Sequence, residues 1–352
     1  MIRNAVLARS LRFAAGIAAT ALLALGIPAS ALAHGYAPPP GSILDVLLRW
    51  TFDWYTLLPL AVAAWLYWLA VRKVNAAHPN NPVPLFRSIF WFGGLLTLLV
   101  ALCSPIGVYD DTLFWVHMVQ HLMLTMVAAP LLVLGAPITL LLRVSSADAR
   151  RRVILPVLHS RPVRVIGHPI VTWTLFAAVM WGSHFSPLFN ASLDNDAIHV
   201  FEHALYLTAG LLFWWPVVGA DPSPWRLPHP ARVAYLFLGM PQSSFLGLAI
   251  FSAPGVLYAH YATLIRNWGP TPLEDQAWAG GIMWAGGDMM FLIAMILALW
   301  VWLRAEEQAG RLADEKLDRE EALRARLSGR PATLAATTTQ MPPAPASQTS
   351  AD

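Results

Sequence analysis

Long apolar runs alternate with short polar segments along most of this chain. The runs reach about twenty residues, which is the length that crosses a bilayer as an α-helix. This pattern predicts an all-α fold, a polytopic membrane bundle of seven transmembrane helices. We place the seven spans at residues 53–72, 86–105, 112–134, 168–188, 198–218, 233–252 and 280–303.

The segments outside the bundle have different compositions. Residues 1–33 combine a basic start, a short apolar stretch and the small-residue end Ala31-Leu32-Ala33, which is typical of a signal peptide. Residues 34–52 then form an extracytoplasmic N-terminal segment. Residues 304–327 are rich in Ala, Glu, Arg and Leu and favour a charged helix in the cytoplasm, whereas residues 328–352, rich in Pro, Ala, Thr and Ser, favour disorder.

The charges in the loops predict the orientation. Short basic loops lie on the cytoplasmic side of membrane proteins. The ends that carry the basic residues alternate with ends that carry mainly acidic residues. We therefore expect the mature N-terminus outside and the C-terminus in the cytoplasm, in a bacterial inner membrane that the chain crosses several times. The basic ends carry Arg72, Lys73, Arg87, Arg143, Arg150, Arg151, Arg152, Arg161, Arg164, Arg226, Arg232 and Arg304.

The amino-acid composition supports a membrane protein and limits the kinds of metal site that it could contain. The 352 residues are 57% hydrophobic and only 12% charged, and the mean hydropathy is +0.54. The net charge of +3 comes from loop residues, so we expect membrane lipids as neighbours and no nucleic acid. Cys103 is the single cysteine, which excludes an intramolecular disulfide and a CxxC metal motif. A metal site must then use His, Met, carboxylate or backbone ligands.

A layer of histidines is the strongest chemical signal. Two pairs four residues apart share a helix face in the third and fifth spans, and a single histidine lies near the end of the fourth. Ionisable side chains at membrane depth are costly and indicate function, and imidazole is the commonest metal-ligand side chain. These five of the eleven histidines predict a metal site near the outer boundary: His117, His121, His184, His199 and His203.

Other residues are candidates for support. Glu202 is placed to orient an imidazole, Asp288 is a carboxylate deep in an apolar run, and His260 could cover the site from a loop. Met118 and Met283 offer thioethers, soft ligands that suit Cu(I), although Met at apolar helix positions more often serves packing.

The remaining histidines favour a structural role. His78, His168 and His229 each precede a proline, and His159 lies in a basic loop. The segment from His199 to His203 also matches the H-x-x-E-H pattern of inverted zinc proteases. Five residues match by chance often, and that mechanism needs a third ligand and an open zinc position, so we expect no enzyme.

Several motifs in this order make the chain resemble the CtaG-type cytochrome c oxidase assembly proteins over about residues 50–303. The motifs are His117-Met118-Val119-Gln120-His121, the segment from Ala129 to Pro137, Trp181-Gly182-Ser183-His184-Phe185, the segment from His199 to His203, Phe213-Trp214-Trp215-Pro216, Leu257-Tyr258-Ala259-His260-Tyr261, and Asp275-Gln276 with the segment from Ala279 to Trp284. The resemblance implies a haem–copper oxidase subunit, or the copper chaperone that feeds it, as partner.

The expected function is a non-enzymatic assembly factor that binds copper at the histidine layer and supplies an oxidase copper centre. One alternative is a haem-binding electron carrier or haem-handling protein, since two axial histidines would suffice. Two close histidine pairs fit a compact metal cluster better. Another alternative is a copper importer, but the inner halves of the spans carry few polar residues beyond Thr125, Gln242, Ser243 and Ser244.

Overall fold

The computed structural model describes residue 39 and residues 42–327 of the chain. Every regular element in that part of the chain is helical. The predicted signal peptide, residues 1–33, and the predicted disordered tail, residues 328–352, lie outside the described residues, as does most of the stretch from 34 to 41. Those predictions, and the cytoplasmic placement of 304–327, stay predictions.

Seventeen α-helices, numbered here in chain order, cover most of the described residues. They are α1 (Ile43–Leu47), α2 (Trp54–Ala77), α3 (Leu85–Cys103), α4 (Pro105–Tyr109), α5 (Phe114–Leu122), α6 (Ala129–Leu134), α7 (Pro137–Val144), α8 (Ala147–Ala149), α9 (Leu155–Leu158), α10 (Arg161–Ile166), α11 (Pro169–His184), α12 (Pro187–Asp194), α13 (Asp196–Val218), α14 (His229–Phe251), α15 (Ala259–Thr263), α16 (Pro272–Gly281) and α17 (Gly287–Leu327).

Three π-helical turns interrupt the α-helical pattern at Met123–Ala128, Arg150–Ile154 and Ile282–Gly286. The first joins α5 to α6 and the third joins α16 to α17, so two apolar spans continue through a change of helical pitch. Such π turns often occur at functional sites. The turn at Met123–Ala128 directly follows the helix that carries His117 and His121.

Six of the helical segments are long and apolar enough to cross a membrane, and this makes the chain a membrane protein by length and composition. They are Trp54–Ala77, Leu85–Tyr109, Phe114–Val144, Asp196–Val218, His229–Phe251 and Pro272–Arg324. Each overlaps a predicted span. The predicted span at 168–188 and the orientation of the termini are not established by these segments and remain predictions.

The predicted fourth span, 168–188, was drawn too long. Its helix α11 has 16 residues, about 24 Å at 1.5 Å per residue, whereas a bilayer core is about 30 Å thick. The helix ends at His184 because Ser186 and Pro187 start α12, where the Ser186 hydroxyl accepts a hydrogen bond from the Leu188 N–H at 3.2 Å. His184 is therefore the last residue of its helix, not one turn inside it.

Glycines allow two close helix contacts that shape the bundle. A Cβ on Gly247 of α14 would lie 2.8 Å from the Gly280 carbonyl oxygen of α16, and a Cβ on Gly280 would lie 2.5 Å from the Phe251 nitrogen. A Cβ on Gly210 of α13 would meet the Thr125 backbone at 3.1 Å. Small residues of this kind let membrane helices approach closely, and the second contact seats α13 against the segment after His121.

The described residues from Leu297 to Leu327 belong to a separate compact unit. Within it, α17 extends to Leu327 and carries exposed ion pairs at helical spacing, Lys316 with Glu320 at 3.9 Å and Arg319 with Glu315 at 3.3 Å. Such pairs support a solvated helix by a few tenths of a kcal/mol each.

Candidate metal centre

A buried carboxylate fixes the start of the helix that carries the first histidine pair. Asp275 of α16 accepts hydrogen bonds from the backbone N–H groups of Phe114, at 3.1 Å, and Trp115, at 2.9 Å. Arg266 pairs with the same carboxylate at 2.7 Å. Because the first N–H groups of a helix have no partner within it, Asp275 acts as the cap of α5 and sets the position of His117.

A local cap fixes the second pair. The Asn195 side-chain oxygen accepts hydrogen bonds from the N–H groups of Ala197, at 3.0 Å, and Ile198, at 3.2 Å. The helix α13 therefore begins one turn before His199 and presents His199 and His203 on one face. Helix α13 also packs against α11 and α12, which brings His184 to the same place.

The five predicted histidines do come together. Ring centroids are 4.2 Å apart for His117 and His121, 4.3 Å for His199 and His203, and 5.4 Å for His117 and His199. His121 links the rest, with its ring 6.1 Å from His203 and 6.3 Å from His184. Three stretches of chain thus contribute to one cluster, which we call the histidine cluster.

Four members of the histidine cluster are buried, and His203 is half-buried. Polar groups inside proteins are nearly always hydrogen-bonded, and an exception needs an explanation. Neither ring nitrogen of His121 has a hydrogen-bond partner among the described residues, and the same is true of Nε2 in His117 and in His184. A neutral imidazole carries a lone pair on one of its two nitrogens, so each of these three buried rings can offer one nitrogen to a metal.

Carboxylates flank the histidine cluster on two sides. Glu202 is fully buried, and its Oε2 lies 3.8 Å from His117 Nε2. Asp110 Oδ2 lies 3.9 Å from His199 Nε2, and Asp111 Oδ1 lies 3.8 Å from His199 Nδ1. A buried carboxylate needs a cation or strong hydrogen bonds nearby. The site is therefore electrostatically suited to a positive ion.

Neighbouring groups determine which nitrogen can bind a metal. His184 Nδ1 lies 2.7 Å from the Met180 carbonyl oxygen, which can only accept, so Nδ1 carries the proton and the lone pair is on Nε2. Gln120 donates its amide to Asp110 at 2.7 Å, which turns its oxygen toward His203 Nε2 at 2.8 Å. His203 Nε2 is then the donor, and its lone pair is on Nδ1. Such outer hydrogen bonds commonly orient metal ligands.

In the described part of the chain, two groups of three residues could each hold a metal ion, because the ligand atoms within each group lie within 4.8 Å of one another. One is Asp110, His117 and His199, and the other is His117, His121 and Glu202. Metal–nitrogen bonds are about 2 Å long, so small side-chain rotations would bring either group around one ion. His117 belongs to both groups, which makes it the centre of the arrangement.

The loop before α16 covers this end of the bundle. The Tyr261 hydroxyl donates to the Asp110 carbonyl oxygen at 2.8 Å, and the Tyr258 hydroxyl donates to the His184 carbonyl oxygen at 3.4 Å. Burial, followed by the nearby Glu202 carboxylate, raises the pKa of Tyr258, so its hydroxyl stays protonated. His260 uses one ring nitrogen on the Asp111 carbonyl at 3.0 Å and the other on Asp194 at 3.2 Å.

The remaining predicted residues divide into two sets. Asp288 accepts hydrogen bonds from Ser244 at 2.7 and 2.8 Å, which gives it a local partner of its own. Met118 and Met283 are buried and line a cavity with His121 and His184. His260, with both nitrogens engaged, contacts the cluster through Asp111 rather than as a ligand.

Comparison with known proteins adds the family to this geometry. The family model of the cytochrome c oxidase caa3 assembly factor matches residues 65–305, a range that includes every member of the histidine cluster. The chain belongs to this family. The description of the family names a role in the assembly of cytochrome c oxidase caa3.

Mycobacterial proteins are among its relatives. Uncharacterised proteins of Mycobacterium bovis and Mycobacterium tuberculosis are each 32% identical over 292 residues, which is 81% of this chain and 44% of theirs. A Mycobacterium leprae protein is 28% identical over 291 residues. The chain thus spans less than half the length of these relatives. No solved structure matches it.

Three polar residues close to the histidine cluster were not among the site residues predicted from the sequence. They are Asp110, Gln120 and Tyr206, and the Tyr206 ring lies 4.0 Å from that of His121. The available signal was spacing, because Tyr206 lies three residues after His203 and four after Glu202, on the same helix face.

Proposed function

We propose that this chain is a copper-binding assembly factor that supplies a copper centre of a haem–copper oxidase. The single observation that carries the proposal is the convergence of five histidines, several with unpartnered nitrogens, at one buried place in a member of an oxidase assembly family. Imidazole is a good ligand for copper. The protein would act in the bacterial inner membrane with the histidine cluster toward the periplasm.

The ligand assignment follows the geometry. His117, His121, His199 and His203 provide the main nitrogens, with His184 next to them. Glu202 and Asp110 supply negative charge that offsets the charge of the ion. Gln120 orients His203, and the Met180 carbonyl orients His184. Copper here is cargo, received from a periplasmic chaperone and passed to an oxidase subunit.

The geometry supports a metal ion over haem. A haem needs a flat cavity between its axial ligands that accepts a whole porphyrin. The cavity beside His121 and His184 has a volume of about 20 Å³, room for about one water molecule. Ring centroids of 4.2 to 6.3 Å fit a compact ion site. A Soret band in the purified protein would instead favour the haem alternative.

The experiment compares copper content per chain after exposure to reduced copper and desalting. We expect about one or two copper ions in the wild type, the number that two overlapping ligand groups could hold. The quadruple variant with Ala at His117, His121, His199 and His203 should retain almost none. His159→Ala is the matched control, since His159 is exposed and hydrogen-bonds only its own helix.

The same variants test the role in assembly. Cells that carry His117→Ala or His203→Ala should produce oxidase with less copper and lower activity, while His159→Ala cells should resemble the wild type. Normal copper in the oxidase of both cluster variants, with the variants present in the membrane at wild-type level, would contradict the proposal.

A further inference from the structure

Next to the histidine cluster lies a cavity with a different chemical lining. Its walls include the side chains Met118, Met126, Met180 and Met283, together with His121 and His184. All six residues are at least nine-tenths buried. The methionines come from α5, the following π turn, α11 and the π turn before α17. Three separate stretches of chain therefore converge here with the same residue type, because α5 and the π turn after it are continuous.

Packing alone does not account for this lining. Methionine is flexible and usually fills irregular gaps in a core. Here a space of about 20 Å³ remains between the methionines and the two imidazoles. A bare metal ion needs less room than the single water molecule that such a space can hold.

Two imidazoles on the cavity wall provide the second observation. Both nitrogens of His121, and Nε2 of His184, lack a hydrogen-bond partner among the described residues. The Gln242 side chain lines the same cavity and is also without a partner in that part of the chain. Buried groups of this kind indicate a missing ligand, a water molecule or an ion.

Ligand chemistry distinguishes the two neighbouring sites. The histidine cluster contains carboxylate oxygens from Asp110 and Glu202, which are hard ligands. The cavity contains thioethers, which are soft ligands and favour monovalent copper over zinc or other divalent ions. His121 belongs to both, because it also forms the ligand group with His117 and Glu202.

We propose that the methionine-lined cavity is a second metal site, selective for soft monovalent ions such as Cu(I), that exchanges its ion with the histidine cluster through His121. This second site adds a different metal selectivity to the proposed function, and its assignment to copper rests on that function. The ion keeps its charge during this exchange, and only its ligands change.

The experiment uses Ag(I), a soft monovalent ion that needs no reductant, and Zn(II) as the divalent comparison. The full chain in detergent, labelled with ¹³C at the methionine methyl groups, is titrated with each ion, and affinities are measured by calorimetry. We expect Ag(I) to shift the methyl signals of the methionines that line the cavity, and Zn(II) to leave them nearly unchanged.

Matched variants locate the ion. Met118→Leu/Met283→Leu conserves side-chain volume and should weaken Ag(I) about 10- to 100-fold, the loss typical even of groups that only support a metal ligand. The control Met289→Leu/Met290→Leu changes two methionines that do not line the cavity and should bind Ag(I) normally. Glu202→Gln should weaken Zn(II) and leave Ag(I) binding intact.

The outcomes separate this proposal from the assembly function. Unchanged Ag(I) affinity in Met118→Leu/Met283→Leu would overturn the second site, as would equal loss of Ag(I) in Glu202→Gln, which would place the ion in the histidine cluster. If the wild type binds Ag(I) at the methionines but binds neither copper nor Zn(II) at the cluster, the second site stands and the proposed cluster function fails.

Discussion

Two sets of buried polar groups in this protein have opposite surroundings. Asp275 caps the start of α5, and Asp221 caps the start of α7. Asp275 accepts from Phe114 and Trp115 and pairs with Arg266. Asp221 accepts from the N–H groups of Ile138 at 3.0 Å and Thr139 at 2.6 Å, and also from the Thr139 hydroxyl. Both carboxylates are well supplied with donors.

In the histidine cluster, by contrast, several buried nitrogens lack a hydrogen-bond partner among the described residues. His121 is as buried as the capping aspartates, yet neither of its nitrogens has a partner in the described structure. Glu202 is also buried, and its Oε2 lies 3.8 Å from His117 Nε2, too far for a hydrogen bond. Satisfied buried groups stabilise the fold, whereas unsatisfied ones cost stability and are retained where they bind something.

The largest change in stability should follow from removing the charge of a capping aspartate that has all its hydrogen-bond partners. Asp275→Asn keeps the shape of the side chain but leaves buried Arg266 without its countercharge. Removing one partner of a buried ion pair costs about 3–5 kcal/mol, so we expect a strong fall in the apparent Tm of the purified protein. Glu307→Ala, which breaks an exposed pair with Arg304, is the control and should change little.

Metal removal should cause the next largest loss of stability. We expect this loss only when the histidine cluster is intact. Copper held at 100 times its Kd would stabilise the native state by about 2.7 kcal/mol. We therefore expect a copper chelator to lower the apparent Tm of the wild type and to leave the quadruple histidine variant unchanged. An equal shift in both would show that copper acts elsewhere on the chain.

Gln120 tests how a ligand of the histidine cluster is oriented, because its side chain joins Asp110 to His203. Replacing Gln120 with Leu removes the group that orients His203 Nε2 and should weaken copper about 10- to 100-fold. The measurement is a competition titration against a coloured copper chelator. Wild-type affinity in a folded variant would mean that His203 binds no ion or needs no orientation.

The smallest expected change is in the free energy of unfolding of Glu202→Gln, which should rise slightly where that of Asp275→Asn falls. Glu202→Gln is the counterpart of Asp275→Asn, since each replaces a buried carboxylate with its amide. In metal-free protein, removing an ill-compensated buried charge should leave stability unchanged or raise it by about 1 kcal/mol. Chemical unfolding of the two variants without metal compares them directly. A loss as large as that of Asp275→Asn would identify Glu202 as part of a structural ion pair.

The candidate ligands were visible in the sequence because their spacing is local. His117 with His121, and His199 with His203, share helix faces whatever the rest of the chain does. The apolar runs likewise predict the six helical segments of the described chain that are long and apolar enough to cross a membrane. The length predicted for the fourth span, 168–188, was too great. The apolar composition continues to Leu188, but the helix ends at His184.

Supporting residues were harder to find. Gln120 contacts His203 across 83 positions of sequence, and Asp275 caps Phe114 across 161. No local pattern encodes a partner at such a distance. The hydroxyl that donates to Asp288 is likewise distant in sequence, because Ser244 lies 44 positions before it.

By itself, the sequence determined the helical class, the apolar segments and the positions of the histidines, since these depend on composition and on the fixed geometry of a helix. Only the tertiary structure decided that the three histidine-bearing stretches meet, which nitrogens keep a lone pair, and that four methionines surround one cavity beside His121. These features depend on how helices distant in sequence pack, and close contacts such as that of Gly210 with Thr125 set that packing.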